Sequence, residues 1–293
     1  MGDPTRTHAY RPRLPIPARS EQSGYAVSGL PDAGRRPAGQ EETVAANRSW
    51  WDDEAAAYHA EHGEFLGDVG FVWGPEGWTE DDLALLGLTA GQRVLEFGAG
   101  AGQCSRWIRA THPEISVVAS DLSLGMLRVG GMLNERSGVG VPLAQCDATR
   151  LPFADGSFDV VFSSYGAVPF VADSAALMAE CARVLRPGGQ LVFSTTHPIR
   201  WALPDVPGPA GLEVRQSYFD RTPYVETTDG TVAYAEHHRT IGDRVREVVA
   251  AGLVVVDLVE PEWPERNAET WGGWSPLRGR LLPGTLIVVA VRP

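Results

Sequence analysis

The segment Val94-Leu95-Glu96-Phe97-Gly98-Ala99-Gly100-Ala101-Gly102 decides the fold. It reads as a buried strand that runs into a glycine-rich turn and then into a helix. Glycine allows the backbone to approach a ligand closely, and the first turn of a helix offers free N–H groups. The segment therefore predicts a ligand-binding turn at the carboxyl end of a strand.

The chain around this turn alternates between strand and helix. The apolar runs that predict strands cover residues 93–97, 115–120, 141–146, 158–163, 190–195, 253–258 and 285–291. Helices are predicted at 102–110 and after the capping residues Ser123, Asp173 and Thr240, and the helix after Asp173 is predicted to end at Pro187-Gly188-Gly189. Such alternation is typical of an α/β protein with a doubly wound parallel sheet that helices cover on both faces.

The sequence also divides into a lead, a cap and one large domain. Residues 1–40 contain six prolines and few apolar residues, which predicts a disordered lead. Residues 41–90 are expected to form an N-terminal helical cap, with its main helix over 41–62. Residues 91–293 form the sheet domain, with an insertion at 196–240. In this insertion two strands, 214–219 and 231–238, are predicted to pair as a hairpin around a turn at Thr228-Asp229-Gly230.

Charge and composition exclude several classes of partner. The 25 basic residues are all arginine and face 37 acidic residues, and the acidic excess lies after residue 40. So acidic a surface repels phosphate backbones, which disfavours a nucleic-acid partner. No apolar run is long enough to span a membrane, and no secretory signal is recognisable. Three isolated cysteines show neither metal-ligand nor disulfide spacing, so we expect no metal site and a cytoplasmic location.

Acidic residues recur at the ends of three successive predicted strands. Glu96 stands just before the first glycine, Asp121 ends the next strand and Asp147 ends the third. The ends of parallel strands adjoin, so Asp121 is placed to accept hydrogen bonds from ribose hydroxyls and Asp147 to receive an adenine amino group. A carboxylate beside the turn and the Gly-x-Gly-x-Gly spacing do not suit a pyrophosphate. S-adenosylmethionine, with an ammonium, a ribose and an adenine, fits this set of groups.

With these motifs the sequence resembles the class I S-adenosylmethionine-dependent methyltransferases, in particular the type 11 group. The region from Asn47 to Gly63 resembles a bacterial branch of that group whose substrate is unassigned. The resemblance implies a Rossmann-like, seven-stranded sheet whose last strand is antiparallel. The segments that carry it are Leu95–Gly102, Ser120–Ser123 with Met126-Leu127, Asp147-Ala148, Leu151–Phe153, Asp155–Asp159 and Val184–Gly189.

The resemblance also implies roles for individual residues. Glu96 and the turn Gly98-Ala99-Gly100 would hold the methionine part of the cofactor. Asp121 would bind the ribose, Leu122 would lie against the adenine, and Asp147 with Ala148 would contact the adenine edge. Ser163 would offer its carbonyl to the ammonium. Gln103 departs from the small residue that is common at its position, and its role is open.

The sequence of the loop after the fourth strand narrows the range of possible methyl acceptors. Its sequence Ser163-Ser164-Tyr165-Gly166 lacks the Asn/Asp-Pro-Pro-aromatic motif of amino-methyltransferases that act on nucleic acids or Gln side chains. It also lacks the paired glutamates of protein-arginine methyltransferases, so a small-molecule acceptor is expected. A general base is needed only where the nucleophile is protonated, and the candidate catalytic residues are His197, His237 and Tyr165.

Each of these three candidates also has a purely structural interpretation. The same is true of the eight tryptophans outside the strand–helix core, which could form a substrate wall or only dock the cap on the sheet. Two other functions remain open at the level of sequence. One is a nicotinamide-dependent oxidoreductase, and the other is a non-catalytic cofactor-binding module of the same fold.

Overall fold

A computed structural model describes residues 33–293 of the chain. The predicted lead lies mostly outside the described residues. Its C-terminal boundary is wrong, because Gly34–Arg35 already forms a short strand, β1, that pairs with a strand of the insertion. The side chain of Arg35 also donates a hydrogen bond to the carbonyl of Thr222. Residues 34 and 35, which were assigned to the lead, are therefore part of a sheet.

The N-terminal cap is one long helix followed by a loop and a short helix. Helix α1 covers Gln40–Leu66, and α2 covers Glu80–Leu83. A capping box begins α2, since Thr79 and Asp82 exchange side-chain and backbone hydrogen bonds.

A seven-stranded sheet with flanking helices forms the centre of the molecule. Its strands stand in the order β4-β3-β2-β5-β6-β10-β9, and β10 is antiparallel to both of its neighbours. The doubly wound α/β prediction with an antiparallel last strand is confirmed. The elements of this part are β2 (Arg93–Phe97), α3 (Gln103–Thr111), β3 (Ser116–Asp121), α4 (Leu124–Ser137), β4 (Leu143–Gln145), β5 (Phe158–Ser163), α5 (Ser174–Val184), β6 (Leu185–Thr196), α6 (Ile241–Ala250), β9 (Val254–Val259), α7 (Pro276–Gly279) and β10 (Thr285–Val291).

Alternate residues of the central strands fill two separate cores. Leu95 of β2 packs on the side of α5, whereas its neighbour Val94 packs on the opposite side with Phe71 and Trp73 of the cap loop. This two-sided burial explains why the strands read as continuous apolar runs in the sequence. One boundary differs from prediction: α5 ends at Val184, and β6 begins at once with Leu185 and runs through Pro187-Gly188-Gly189.

The insertion contains a hairpin whose first strand differs from the predicted one. Strands β7 (Tyr224–Thr228) and β8 (Thr231–Glu236) pair around the predicted turn, and β1 adds a third strand to them. The predicted strand at 214–219 is absent, and Val214 and Phe219 are 74% and 70% exposed. The strand lies next to the turn because a two-residue hairpin loop pairs the residues directly beside it.

Candidate functional site

A cavity of about 340 Å³ lies along the carboxyl edge of the sheet. Its wall includes Asp147 after β4, Asp121 at the end of β3, Gly98 after β2, Tyr165 after β5 and Thr196 at the end of β6. The cavity therefore extends across five neighbouring strands. This is the position at which open α/β sheets bind ligands, and its volume is within the range of small-molecule sites.

The turn between β2 and α3 requires glycine for its backbone conformation and for the space around it. Gly98 and Gly100 have φ angles of 59° and 54°, and both line the cavity. A Cβ atom added at Gly98 would lie 2.5 Å from the Cβ of Ala167, and one at Gly100 would lie 3.0 Å from Met126 Cε. The turn thus brings bare backbone to the cavity wall, as predicted for a ligand-binding turn.

Asp121 lies at the cavity wall and organises the adjacent loops. Its Oδ2 accepts a hydrogen bond from the Gly100 N–H, and its Oδ1 accepts one from the Ser123 N–H, both at 2.8 Å. Burial raises the pKa of this carboxyl to about 6. A carboxylate has about four acceptor positions. Asp121 therefore keeps acceptor capacity for a hydroxyl of a ligand.

Glu96 and Ala99 do not reach the cavity, which corrects their predicted direct roles. The Glu96 carboxylate is 2% exposed and accepts hydrogen bonds from the backbone N–H and the hydroxyl of Ser105 in α3. Burial raises the pKa of Glu96 to about 7. Ala99 is also buried, and its N–H donates to the carbonyl of Ser120. Both residues therefore support the glycine-rich turn from the protein interior and not from the cavity.

Of the other predicted cofactor-binding residues, some line the cavity and one does not. Leu122, Asp147 and Ala148 line the cavity, so the predicted adenine contacts lie together. Gln103, whose role was open, lines it as well. Ser163 does not line it: the residue is fully buried at the end of β5, and its hydroxyl has no partner in the described part of the chain.

Tyr165 is the one predicted catalytic residue that the structure brings to the cavity. Its φ angle of 54° is unusual for a residue with a side chain, and its N–H donates to Ser194 Oγ at 2.7 Å. Its hydroxyl accepts a hydrogen bond from Thr196 at 3.3 Å, and burial raises its pKa. A phenol with a raised pKa is a hydrogen-bond donor rather than a base, so Tyr165 is placed to orient a ligand.

The two predicted catalytic histidines do not line the cavity and are corrected to structural roles. The Nδ1 of His197 accepts a hydrogen bond from the Ile199 N–H and caps the short 3₁₀ helix Pro198–Ala202, while its Nε2 contacts Glu260 at 2.8 Å. His237 contacts the Thr43 hydroxyl at 3.0 Å and anchors α1. Burial lowers the pKa of His237 to about 4, so this ring is neutral at pH 7.

A polar group that the sequence analysis missed lines the opposite half of the cavity from Asp147. We call this half the β6 end, defined by Tyr165, Thr196, Arg200, Asp205, Tyr234 and Glu236. Arg200 Nη2 donates to Asp205 Oδ2 at 2.9 Å, and Arg200 Nη1 lies 3.6 Å from Glu236 Oε2. Arg200, Asp205 and Glu236 come from three separate parts of the insertion, and no regular sequence spacing relates them. Only the fold brings them together.

The tryptophans divide between the cavity wall and the core beneath the cap. Trp51, Trp271 and Trp274 line the cavity, and Trp271 stacks on His62 of α1 with ring centroids 4.3 Å apart. Trp73, in contrast, is fully buried and packs against Phe71 in the core beneath the cap loop. The loop between β9 and α7, here called the late loop, and helix α1 thus form an aromatic roof over the cavity.

The lining residues suit S-adenosylmethionine better than they suit a dinucleotide. Acidic groups at Asp121 and Asp147 match the hydroxyls of a ribose and the amino group of an adenine. The bare backbone at Gly98 and Gly100 leaves room for the part of the ligand that follows the ribose. Within residues 33–293 no group of three or more His, Cys, Asp or Glu side chains is placed to hold a metal ion. No helix in the same range is both long and apolar enough to cross a membrane.

Comparison with known proteins agrees with this geometry. Residues 95–193 match the type 11 family that is described as a methyltransferase domain. A demethylmenaquinone methyltransferase of Mycobacterium sp. (strain KMS) is 43% identical over 121 residues, which are 40% of this chain and 49% of that protein. The chain spans about half the length of the curated relatives it matches.

Solved structures extend the similarity beyond this region. An S-adenosylmethionine-dependent methyltransferase of Mesorhizobium loti is 27% identical, with a TM-score of 0.57 over 74% of this chain and 100% of that one. The [4+2]-cyclase SpnF, at 16% identity, has a TM-score of 0.59 over 89% of this chain and 99% of that one, and it shares the fold. Residues 95–193 therefore carry a methyltransferase domain of the type 11 family, and the chain as a whole has the fold of S-adenosylmethionine-dependent methyltransferases.

Proposed function

We propose that this protein transfers the methyl group of S-adenosylmethionine to a small-molecule acceptor by in-line displacement. The observation that carries the proposal is one continuous cavity with two chemically different ends. Asp121 and Asp147 lie at the end that suits the nucleoside, and the β6 end presents charged and aromatic side chains to a second ligand. Two ligands side by side in one cavity are what a direct transfer requires.

The chain's own residues would act by binding, orienting and excluding water. When bound, the cofactor supplies a methyl group that its sulfonium already activates. The backbone at Gly98 and Gly100 and the carboxylate of Asp121 would hold it against the sheet. Tyr165, which lies after β5, would direct the acceptor. Holding the two ligands in line lowers the barrier by several kcal/mol without further chemistry from the protein.

The partly covered shape of the cavity supports a small acceptor over a macromolecular one. Helix α1 contributes Trp51 and Tyr58 to the wall, and the late loop contributes Trp271. This aromatic roof leaves a cavity of about 340 Å³, which suits a compact molecule. The matched relatives named for demethylmenaquinone also act on a small molecule, which favours the same class of acceptor here.

The two alternative functions have less support. The family match and the similar proteins favour a methyltransferase over a nicotinamide-dependent oxidoreductase. The shared fold of the cyclase SpnF shows that the fold alone does not decide the reaction. A direct assay of transfer is therefore the deciding experiment.

The test uses S-adenosylmethionine that carries a deuterated methyl group, incubated with the full chain and a small-molecule extract. We expect mass spectrometry to show new products heavier by one deuterated methyl group. The Asp121→Ala variant should lose them, because each ribose hydroxyl left unpaired costs about 1–3 kcal/mol. Heavy label only in added RNA or protein, or equal product yield from folded Asp121→Ala, would contradict the proposal.

A further inference from the structure

The β6 end of the cavity carries a net negative charge. Among the described residues that line this end, Arg200 is the one cation, and it faces the two carboxylates of Asp205 and Glu236. Burial opposes the charge on Arg200, but the neighbouring carboxylates outweigh burial and raise its pKa. The surplus carboxylate would repel an anionic ligand at this end, whereas it would stabilise a cationic ligand.

Aromatic faces lie beside the surplus carboxylate. Trp51, Phe170 and Tyr234 all line the cavity, with ring centroids 5.5 Å apart for Trp51 and Phe170 and 5.8 Å apart for Phe170 and Tyr234. The hydroxyl of Tyr234 donates to Glu236 Oε1 at 2.7 Å, which fixes the carboxylate next to this wall. Ring faces together with a carboxylate are the groups that bind an ammonium ion.

A buried donor on the cavity wall indicates that a ligand belongs there. Trp274 lines the cavity and is 2% exposed, and its indole N–H has no hydrogen-bond partner in the described part of the chain. Leaving such a group unpaired costs about 1–3 kcal/mol. An acceptor atom of a bound ligand would remove this cost.

We propose that the β6 end binds an acceptor in which a protonated amine is attached to a flat ring, and that Glu236 contacts the ammonium and receives its proton. This inference rests on the proposed function, because it names the acceptor of the same transfer. The ring would lie against Trp51, Phe170 and Tyr234. An ionised phenol is disfavoured at this place, since burial and the charge of Glu236 raise the pKa of the phenol of Tyr234 itself.

The reaction balances without any further reactant. One N–H proton of the ammonium passes to the Glu236 carboxylate and leaves a lone pair on nitrogen. That pair forms the new bond to the methyl carbon as the bond from this carbon to sulfur breaks, and the electrons of the broken bond stay on sulfur. The products are the N-methylated amine and S-adenosylhomocysteine.

The hairpin supplies a matched control for Glu236. Tyr224 donates to Glu226 at 2.7 Å, and Tyr234 donates to Glu236 at 2.7 Å, so the hairpin holds two equivalent pairs. Only the pair Tyr234–Glu236 lines the cavity. Glu236→Gln and Glu226→Gln therefore remove the same charge from the same kind of contact, but only the first change is at the cavity wall.

The test compares three ligands that share one ring and chain length: tryptamine, tryptophol and indole-3-acetate. Each is titrated by calorimetry into the full chain saturated with S-adenosylhomocysteine. We expect tryptamine to bind at least about tenfold more tightly than tryptophol, with indole-3-acetate weakest. Glu236→Gln should remove this preference, and Glu226→Gln should keep it.

Several outcomes would overturn the inference. Tighter binding of tryptophol or indole-3-acetate would indicate a neutral or acidic acceptor, and no binding of any of the three would show that this end does not take such a ring. If Glu236→Gln and Glu226→Gln show the same preference for tryptamine, Glu236 does not contact the ammonium. Binding of S-adenosylhomocysteine is measured first in each protein, so a failure there counts against the proposed function and not against this inference.

Discussion

Glu96 illustrates how a single buried acid makes the stability of this protein depend on pH. The pKa of Glu96 is about 7 when the chain is folded, because burial raises it above its usual value. The folded chain therefore holds a proton at pH values at which the unfolded chain releases it. The resulting stabilisation is complete at low pH, below the usual pKa of a glutamate, and is lost as the pH rises through about 7.

This sign leads to a prediction for Glu96→Gln. The amide can still accept hydrogen bonds from Ser105 but does not titrate, so the variant should lose this part of the pH dependence. Between pH 5 and pH 8 we expect the free energy of unfolding of the unmodified chain to fall by roughly 1–3 kcal/mol more than that of the variant. Denaturant unfolding at several pH values measures both. Parallel pH profiles would contradict the burial of this carboxyl.

At the same scale, the sequence predicted some site residues and missed others for a clear physical reason. Asp121 and Asp147 were predicted to lie close together because they stand at or just after the ends of neighbouring strands, and strand ends meet at one edge of the sheet. The same rule placed His197 at the cavity, but its ring turns to cap the next short helix. Arg200 and Glu236 carry no positional signal, since their proximity depends on how the insertion folds back.

Two adjacent glycines in α4 provide a test at the scale of a helix. The sequence suggests that Gly130 and Gly131 weaken the helix equally. In the structure, a Cβ at Gly131 would meet nothing within 4 Å, whereas one at Gly130 would lie 2.8 Å from the carbonyl oxygen of Ala101. We expect Gly131→Ala to stabilise the chain by about 1 kcal/mol. Gly130→Ala should destabilise it by about 1–3 kcal/mol through overpacking.

Thermal unfolding of the two variants beside the unmodified chain measures this difference. Ala101 lines the cavity, so Gly130→Ala should also weaken the binding of S-adenosylhomocysteine. Equal shifts in melting temperature in both variants would show that the helix does not pack against the turn as closely as described.

Helix α1 is held over the cavity by contacts that can be removed one at a time. Asp52 Oδ1 accepts hydrogen bonds from the Ser123 hydroxyl and the Gly125 N–H, both at 2.7 Å, and so joins α1 to the start of α4. Closer to the start of α1, Asn47 exchanges hydrogen bonds with the backbone of Ala235 in β8. These contacts place Trp51 and Tyr58 on the cavity wall.

We predict that Asp52→Ala loosens α1 without unfolding the sheet. Amide hydrogen exchange in residues 47–60 should become faster, and binding of S-adenosylhomocysteine should slow it in the unmodified chain because the ligand fills the space beneath the helix. Asp53→Ala is the matched control, since Asp53 is exposed. If exchange in this segment ignores both the ligand and Asp52→Ala, α1 is a fixed docking element and not a lid.

The individual helices and strands were predicted with different accuracy. The central strands and the caps Ser123, Asp173 and Thr240 were predicted well, because buried strands and helix starts leave local signals. The first strand of the hairpin was misplaced, because Val214 and Phe219, which suggested a strand at 214–219, are exposed and belong to no sheet. Strand β1 has only two residues, and its partner β7 lies far away in sequence, so no local pattern reveals it.

At the scale of the whole molecule, the site has two halves. The carboxyl ends of the strands form the half that suits the cofactor, and the insertion and the cap form the other half. The β2–α3 turn and the strand ends provide one end of the cavity. The cap provides α1, and the insertion after β6 provides Arg200, Asp205 and Glu236. The sequence predicted the first half and the presence of a cover, whereas the polar β6 end became visible only when these distant segments were brought together.

The most direct test of the central claim is calorimetric titration of the full chain with S-adenosylhomocysteine and, separately, with NADH. The account predicts binding of one S-adenosylhomocysteine per chain and no binding of NADH, because Asp121 and Asp147 match a single nucleoside and the turn gives no place to a pyrophosphate. Saturation with NADH, or a folded chain that leaves S-adenosylhomocysteine unbound, would contradict it.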